Sequence, residues 1–428
     1  MNVFLALPLE LRLAVVFAAG CCLAGLLNWG VYRLAYSPRL ISPWSAAPHG
    51  VDRRGWSDRL PILGWVRLRR EAPWHGRGFW IRPLFVELGT GGLLAFLYWW
   101  EAVERALVPQ FSLGPPPGAF AGDLQTAVHA QALAHGLLAC LMIVASLIDV
   151  DEKTIPDSVT VPGTLLGLAI AACYPWSLLP VDAWFAPGFA PEVDFLRIPS
   201  PQPWPPVLSG APSGLSLLVA LGCWLGWCFA LLPRRMFLRR GWIKALGLLA
   251  ARLRRESFTW AIAVMGAVGS VAIAAAWWKL PPAHWAGFLS SLVGLAVGGG
   301  IIWAVRLIGQ LALKREAMGF GDVTLMAMIG TFVGWQPCLF IFFLAPFAGL
   351  VIGVVQWVFR RENEIPYGPF LCLATLAVII RWADLWQWAW DIFAIGWLVP
   401  MVLAGCMLMM LILLGAWRMI LETFAGQE

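Results

Sequence analysis

Charge is scarce in this chain: Asp, Glu, Lys and Arg make up 13% of its 428 residues, while 60% are apolar. A soluble surface cannot be built from so few ionised groups, so a soluble globular domain is excluded. Paired cysteines are lacking too. The nine present include no Cys-x-x-Cys, which removes the basis for a thiolate zinc site or a disulfide framework and leaves them as small apolar residues. No basic region precedes the first apolar run, and no small-residue cleavage site follows it, so that run is expected to be a retained span. No Lys or Arg falls between 106 and 126, which suits a loop on the external side.

What is abundant is tryptophan, with 27 residues, and long apolar stretches, with a mean hydropathy of +0.75. Spans of roughly 20 apolar residues recur about eleven times, which predicts an all-α, polytopic membrane protein. The net charge of +6 comes from arginines in short loops, at 37–82 and again at 234–255, as orientation in a membrane requires. Nucleic acid is therefore not an expected partner, and the stretch 241–253 reads as an amphipathic helix on an anionic lipid surface. Placing the basic loops in the cytoplasm puts the N-terminus outside. The expected organisation is a first span (1–36), a cytoplasmic loop (37–82), a membrane core (83–180), a segment holding an external stretch without regular structure, a helix pair and a basic loop (181–286), a second core (287–390) and a last span (391–428).

Two acidic motifs stand at the ends of apolar runs. One is Ile148-Asp149-Val150-Asp151, followed by Ile155-Pro156-Asp157. The other is Met318-Gly319-Phe320-Gly321-Asp322. The span count brings both to one face. Ionisable groups at such depth are costly to keep and point to a relay, a pathway or a reaction centre. Two carboxylates held close share one proton, one ionised to activate water and the other protonated to polarise a carbonyl, which is peptide hydrolysis without a metal. Gly319 and Gly321 would let the backbone approach closely and take conformations closed to other residues. The plainer alternatives are an N-cap role for Asp322 at the start of a span and an ordinary interfacial position for Asp149. Asp151 and Asp157 fit an interfacial reading, with Pro156 opening the next helix.

Together these residues resemble the type IV prepilin peptidase family of bacterial Gly-x-Gly-Asp membrane aspartyl proteases. Asn28 to Arg33, Asp58 to Trp65, Arg82 to Glu87 and Ile365-Pro366-Tyr367-Gly368-Pro369 resemble further family segments in the same order. The resemblance implies that Asp149 and Asp322 are catalytic, that prepilin or pseudopilin precursors with basic leaders are the substrates, and that the enzyme sits in the bacterial inner membrane. Glu87, Asp151 and Asp157 are candidate contacts for the leader's cations, with a packing role open for Glu87. Many members also methylate the new N-terminus with S-adenosylmethionine, so that cofactor belongs to the expectation only if this second activity is kept. The zinc-binding cysteines of many members are missing: the loop instead carries His49 and His75, zinc is not expected, and tryptophan packing is expected to shape the loop. A transporter or channel, or an inactive homologue, are the alternative readings.

Overall fold

The computed structural model describes residues 2–39, 41–47, 53–108, 121–183, 192–201, 208, 212–232, 257–313, 318–359 and 366–425. The basic stretch 234–255, with its amphipathic segment, His49 and the external stretch 109–120 lie outside the described residues. The helices that organise the chain are α1 (Leu9–Leu34), α2 (Ile81–Leu97), α3 (Ala121–Glu152), α4 (Asp157–Cys173), α5 (Gly214–Leu231), α6 (Ser257–Lys279), α7 (Pro282–Leu313), α8 (Phe320–Val333), α9 (Trp335–Phe359), α10 (Gly368–Ile380), α11 (Trp382–Ala394) and α12 (Leu398–Ala425). Among the described residues seven helices are long and apolar enough to cross a bilayer, or eight if the bent pair α10–α11 is one span. α4, α8 and the first part of α9 are shorter apolar helices at the places of the remaining expected spans. The protein is an all-α, multi-pass membrane protein.

One expectation is corrected. The stretch after α4 is not devoid of regular structure: β1 (Pro180–Ala183) pairs antiparallel with β2 (Glu192–Phe195), in register Pro180 to Phe195. The tryptophan-rich stretch after α10 is the helix α11, turned by 86° from α10. Period-2 patterning over four residues, and a helix rich in tryptophan at a bend, are both weak signals in a sequence already saturated with apolar residues.

The described chain divides into two compact units. The first holds Met1–Leu165, Met318–Leu325 and Phe340–Trp388. In it α1 crosses α2 where two glycines meet: a Cβ on Gly20 would sit 2.9 Å from the Gly91 Cα, and one on Gly91 2.5 Å from the Cys21 sulfur. Small residues let membrane helices approach to backbone contact. α2 is prolonged by a π-helical turn, Tyr98–Val103, from which the buried Glu101 meets Nδ1 of the buried His135 on α3 at 2.9 Å. The chain leaving α1 is tied to the end of α3 by Glu152, whose carboxylate accepts the backbone N–H groups of Tyr36 and Ser37, each at 2.8 Å.

The second unit holds Leu166–Ala317, Met326–Leu339 and Ala389–Glu428. Trp224 on α5 donates its indole N–H to the Gly266 carbonyl of α6 at 3.0 Å, and Trp285 on α7 donates to the Ser216 hydroxyl of α5 at 3.1 Å. The segment following β2 is fastened to the start of α9, where Trp335 and Gln336 donate to the carbonyls of Ile198 and Arg197 at 3.0 and 2.8 Å. A buried indole or amide needs such a partner, so each bond fixes a contact that apolar packing alone would leave free to slide.

Candidate active site

α3 carries Asp149 in its last turn, directly after the fully buried Ile148, and ends as Lys153 takes a positive φ of 55°. The Asp149 side chain is 4% exposed. Its Oδ2 accepts the backbone N–H of Gly368 at 3.0 Å. Gly368 is the first residue of α10, so the carboxylate lies at a helix start, where free N–H groups and the aligned peptide dipoles favour a negative group. The absence of a side chain at 368 is required: a Cβ there would stand 2.5 Å from that same oxygen.

Asp322 arrives from α8, which begins at Phe320. It is the third residue of the helix rather than the residue before it, so the N-cap alternative does not describe it; it is 7% exposed. Gly319 and Gly321 do not take the left-handed backbone expected of them, since neither has a positive φ. Gly321 serves close approach instead. A Cβ on it would meet the Ile155 Cβ at 2.8 Å and the Ile155 backbone nitrogen at 3.0 Å.

Ile155 is therefore the wedge that brings the two motifs together. Its backbone bears the start of α8, and its Cδ1 lies 2.9 Å from where a Gly368 Cβ would be, beside Asp149. The charges of Asp149 and Asp322 both bear on the Cys372 thiol, one turn into α10, and that of Asp322 also bears on the Tyr367 hydroxyl. Burial, helped by the nearby Asp322 charge, pushes the Tyr367 phenol up to about 12. That phenol is thus a neutral hydrogen-bonding group beside the carboxylates over the whole physiological range. Among the described residues Asp149 has no cationic partner.

The other acidic residues singled out in the sequence are placed differently. Asp151 forms a bidentate pair with Arg82, both contacts at 2.7 Å, and Arg82 also donates to the Leu147 carbonyl at 2.9 Å. Asp157 is the first residue of α4, directly after Pro156. Glu87 is buried under the first loop, where it accepts the Ile62 N–H and, at 2.8 Å, the Trp65 indole N–H. Both of its oxygens are used to seat the loop on α2. Residues that sequence reasoning did not single out are Ile155, Gly368, Tyr367, Cys372 and Glu152. The stretch Ile365-Pro366-Tyr367-Gly368-Pro369 was visible as a motif, but nothing in it announces a hydrogen bond to a side chain 219 positions away.

Tryptophan packing is not what shapes the first loop. Trp44, Trp56 and Trp74 are exposed, and of the loop's tryptophans Trp65 alone is fully buried among the described residues. Ion pairs hold it instead: a buried one, Arg54 to Glu71 at 2.5 Å, and those of the buried Asp58 carboxylate with the more exposed Arg70 and Arg67 at 2.7 and 3.2 Å. Burial works to raise the Asp58 carboxyl, but the Gly55 N–H and the two guanidinium groups outweigh it and hold the carboxyl below the usual range. His75 lies 3.5 Å from Glu71, and no cluster of three metal-ligating side chains occurs among the described residues. A loop with no cysteine, whose carboxylates are committed to arginines, does not fit a thiolate zinc site.

Comparison with known proteins places these elements. The chain matches the type IV leader peptidase family at residues 136–191 and 245–354, and the bacterial peptidase A24 N-terminal domain at 18–101. The first of these leaves 192–244 unmatched. The chain is similar to a prepilin leader peptidase/N-methyltransferase of Stutzerimonas stutzeri, 33% identical over 97 residues, covering 22% of this chain and 33% of the relative. It is also similar to proteins of the same description from Pseudomonas aeruginosa, 32% identical over 114 residues (25% and 39%), and Aeromonas salmonicida, 27% identical over 117 residues (24% and 40%). The chain thus spans between a third and two fifths of the length of these curated relatives. No solved structure matches it. The two family matches together take in more than half of the residues, including both aspartate motifs and the loop seated by Glu87, and the chain belongs to the type IV leader peptidase family.

Proposed function

We propose that the protein is an aspartyl endopeptidase of the bacterial inner membrane that removes basic leaders from prepilin-like or pseudopilin-like precursors at the cytoplasmic face. The observation that carries this reading is the convergence of the Asp149 and Asp322 motifs on Ile155 and on the start of α10. In the proposed reaction the ionised carboxylate takes a proton from water, the resulting hydroxide attacks the scissile carbonyl carbon, and the protonated carboxyl donates to the carbonyl oxygen. In the collapse of the tetrahedral intermediate the carboxyl that took the water's proton passes it to the departing amine as the C–N bond breaks, and a hydroxyl of the intermediate returns its proton to the other carboxylate as the product carboxyl forms. The N–H of Gly368 orients one member of the pair. Of the acidic residues named for the leader's cations, Asp157 at the start of α4 offers negative charge, whereas both oxygens of Asp151 are engaged by Arg82. Methyl transfer to the new N-terminus forms no part of this proposal.

The test is co-expression of a pilin-like precursor with wild type, Asp149→Asn and Asp322→Asn, following precursor size. Loss of a catalytic acid or base costs about 10²- to 10⁴-fold, so either variant should leave the precursor at full length. Processing by either variant at the wild-type rate would refute the shared-proton chemistry.

A further inference from the structure

The first loop hides its carboxylates and shows its cations. Asp58 and Glu71, the acidic residues among its described positions, are buried and engaged by arginines, whereas Arg53, Arg67, Arg69 and Arg77 are exposed. The same surface is also apolar. Trp44, Trp56 and Trp74 are exposed, and so are Leu60, Leu63 and Val66, which recur every third residue into the short helix Leu63–Leu68. Arg59 holds its guanidinium over the Trp44 and Trp56 rings, 5.2 and 5.4 Å from their centroids, so cation and indole are presented together.

Two further observations say what this surface meets. The first is depth. The turn between Leu60 and Leu63 hangs from Glu87, which accepts the Ile62 N–H and the Trp65 indole N–H. By the helical rise per residue, Glu87 lies about 9 Å inside the start of α2, and its neighbours Phe85 and Leu88 are exposed on a helix long and apolar enough to cross the bilayer. An exposed leucine at that level meets acyl chains, while arginine side chains reach back to the headgroups. The second is strain. Ile62 takes a φ of 66°, which crowding closes to most β-branched residues, and the Leu63 N–H closes the turn on the Pro61 carbonyl at 2.7 Å. Such a backbone persists only where its surroundings impose it. The bond to Glu87 does so, and the turn is thereby held at that depth.

We infer that the first loop is an in-plane membrane anchor: Leu60, Leu63 and Val66 enter the adjoining leaflet, and the exposed arginines bind anionic phospholipid headgroups. Charge and depth together select this occupant. An acidic protein would satisfy the arginines but would leave the leucines without a partner at acyl depth, whereas an anionic leaflet satisfies both. Indoles are at home at that boundary, which gives the exposed tryptophans a role that shaping the loop does not. The anchor stands apart from the peptidase reading, since it concerns where the loop is held and not what the carboxylates do.

The experiment places the photo-crosslinker benzoylphenylalanine at Leu60, and in a second variant at Leu63, in the full chain reconstituted in nanodiscs of phosphatidylcholine with or without phosphatidylglycerol. The expected product is a lipid adduct at both positions, roughly threefold or more abundant when the anionic lipid is present. That excess should vanish when Arg53→Gln, Arg69→Gln and Arg77→Gln are combined. No lipid adduct at either position, adducts to a second copy of the chain alone, or equal yields in the two lipid mixtures would overturn the inference. The comparison of lipids is made with every arginine in place, so it decides the matter even if the triple variant fails to fold. Neither result depends on precursor cleavage.

Discussion

The first unit contains two kinds of buried acid, and the difference lies in what surrounds each. In the loop, Glu71 is enclosed with the Arg54 guanidinium, and Asp58 with Arg67, Arg70 and the Gly55 N–H. At the ends of α3 and α8, Asp149 and Asp322 face a helix start, a phenol and a thiol. A carboxylate whose oxygens are taken up by guanidinium groups serves as a structural tie. One held by a single backbone N–H keeps access to both protonation states, which is what acid–base work needs.

The comparison breaks most sharply at Gly368. Gly368→Ala forces a methyl group onto the Asp149 oxygen; with displacements near 1 Å worth about 10² in rate, precursor processing should fall at least that far while helical circular dichroism is unchanged. Wild-type processing by that variant would mean that the close approach has no role. Next comes the loop. Arg54→Ala strands Glu71 in the interior, and breaking one side of a buried pair costs about 3–5 kcal/mol, visible as a lowered thermal midpoint in detergent. Asp149→Asn, by contrast, should leave that midpoint unchanged or raise it, since a site held for chemistry is not optimised for stability; a large drop would move Asp149 into the structural class.

A smaller effect follows from pH. The Asp58 carboxyl is held lower in the folded loop than in the unfolded chain, so its contribution is complete above the unfolded value near 3.9 and is lost as pH falls through the folded one. Hydrogen exchange of residues 55–71 should accelerate only on acidification below about pH 4, and Asp58→Asn should abolish that acid dependence. Smallest of all is Arg82→Ala. Its pair with Asp151 is partly exposed, and such pairs contribute about 0–1 kcal/mol, so a shift in midpoint well beyond this would show that the Leu147 carbonyl contact matters more than the ion pair.

Much of this was legible before any coordinates. Apolar runs located the helices, and the motifs at 148–157 and 319–322 named both aspartates, because length and charge placement are written linearly in a membrane chain. What could not be read was the third dimension of the site. Ile155 looks like any apolar residue before a proline, yet two glycines from distant segments are shaped against it. The loop misled for a related reason: its exposed tryptophans are conspicuous in sequence, whereas the Arg54–Glu71 pair is two ordinary charges 17 residues apart. Asp322 shifted from cap to first turn because a boundary one or two residues off is invisible to a hydropathy count.

The wider winding at Tyr98–Val103 makes chain length itself a determinant of the fold. Such a turn is an ordinary helix carrying one surplus residue, so deleting a single position there would restore regular winding and swing the neighbouring side chains by about 100° around the axis. Glu101 would rotate away from His135, and two polar groups now matched inside the protein would each be left facing hydrocarbon. No substitution at either residue is needed to lose the pair; a missing codon suffices.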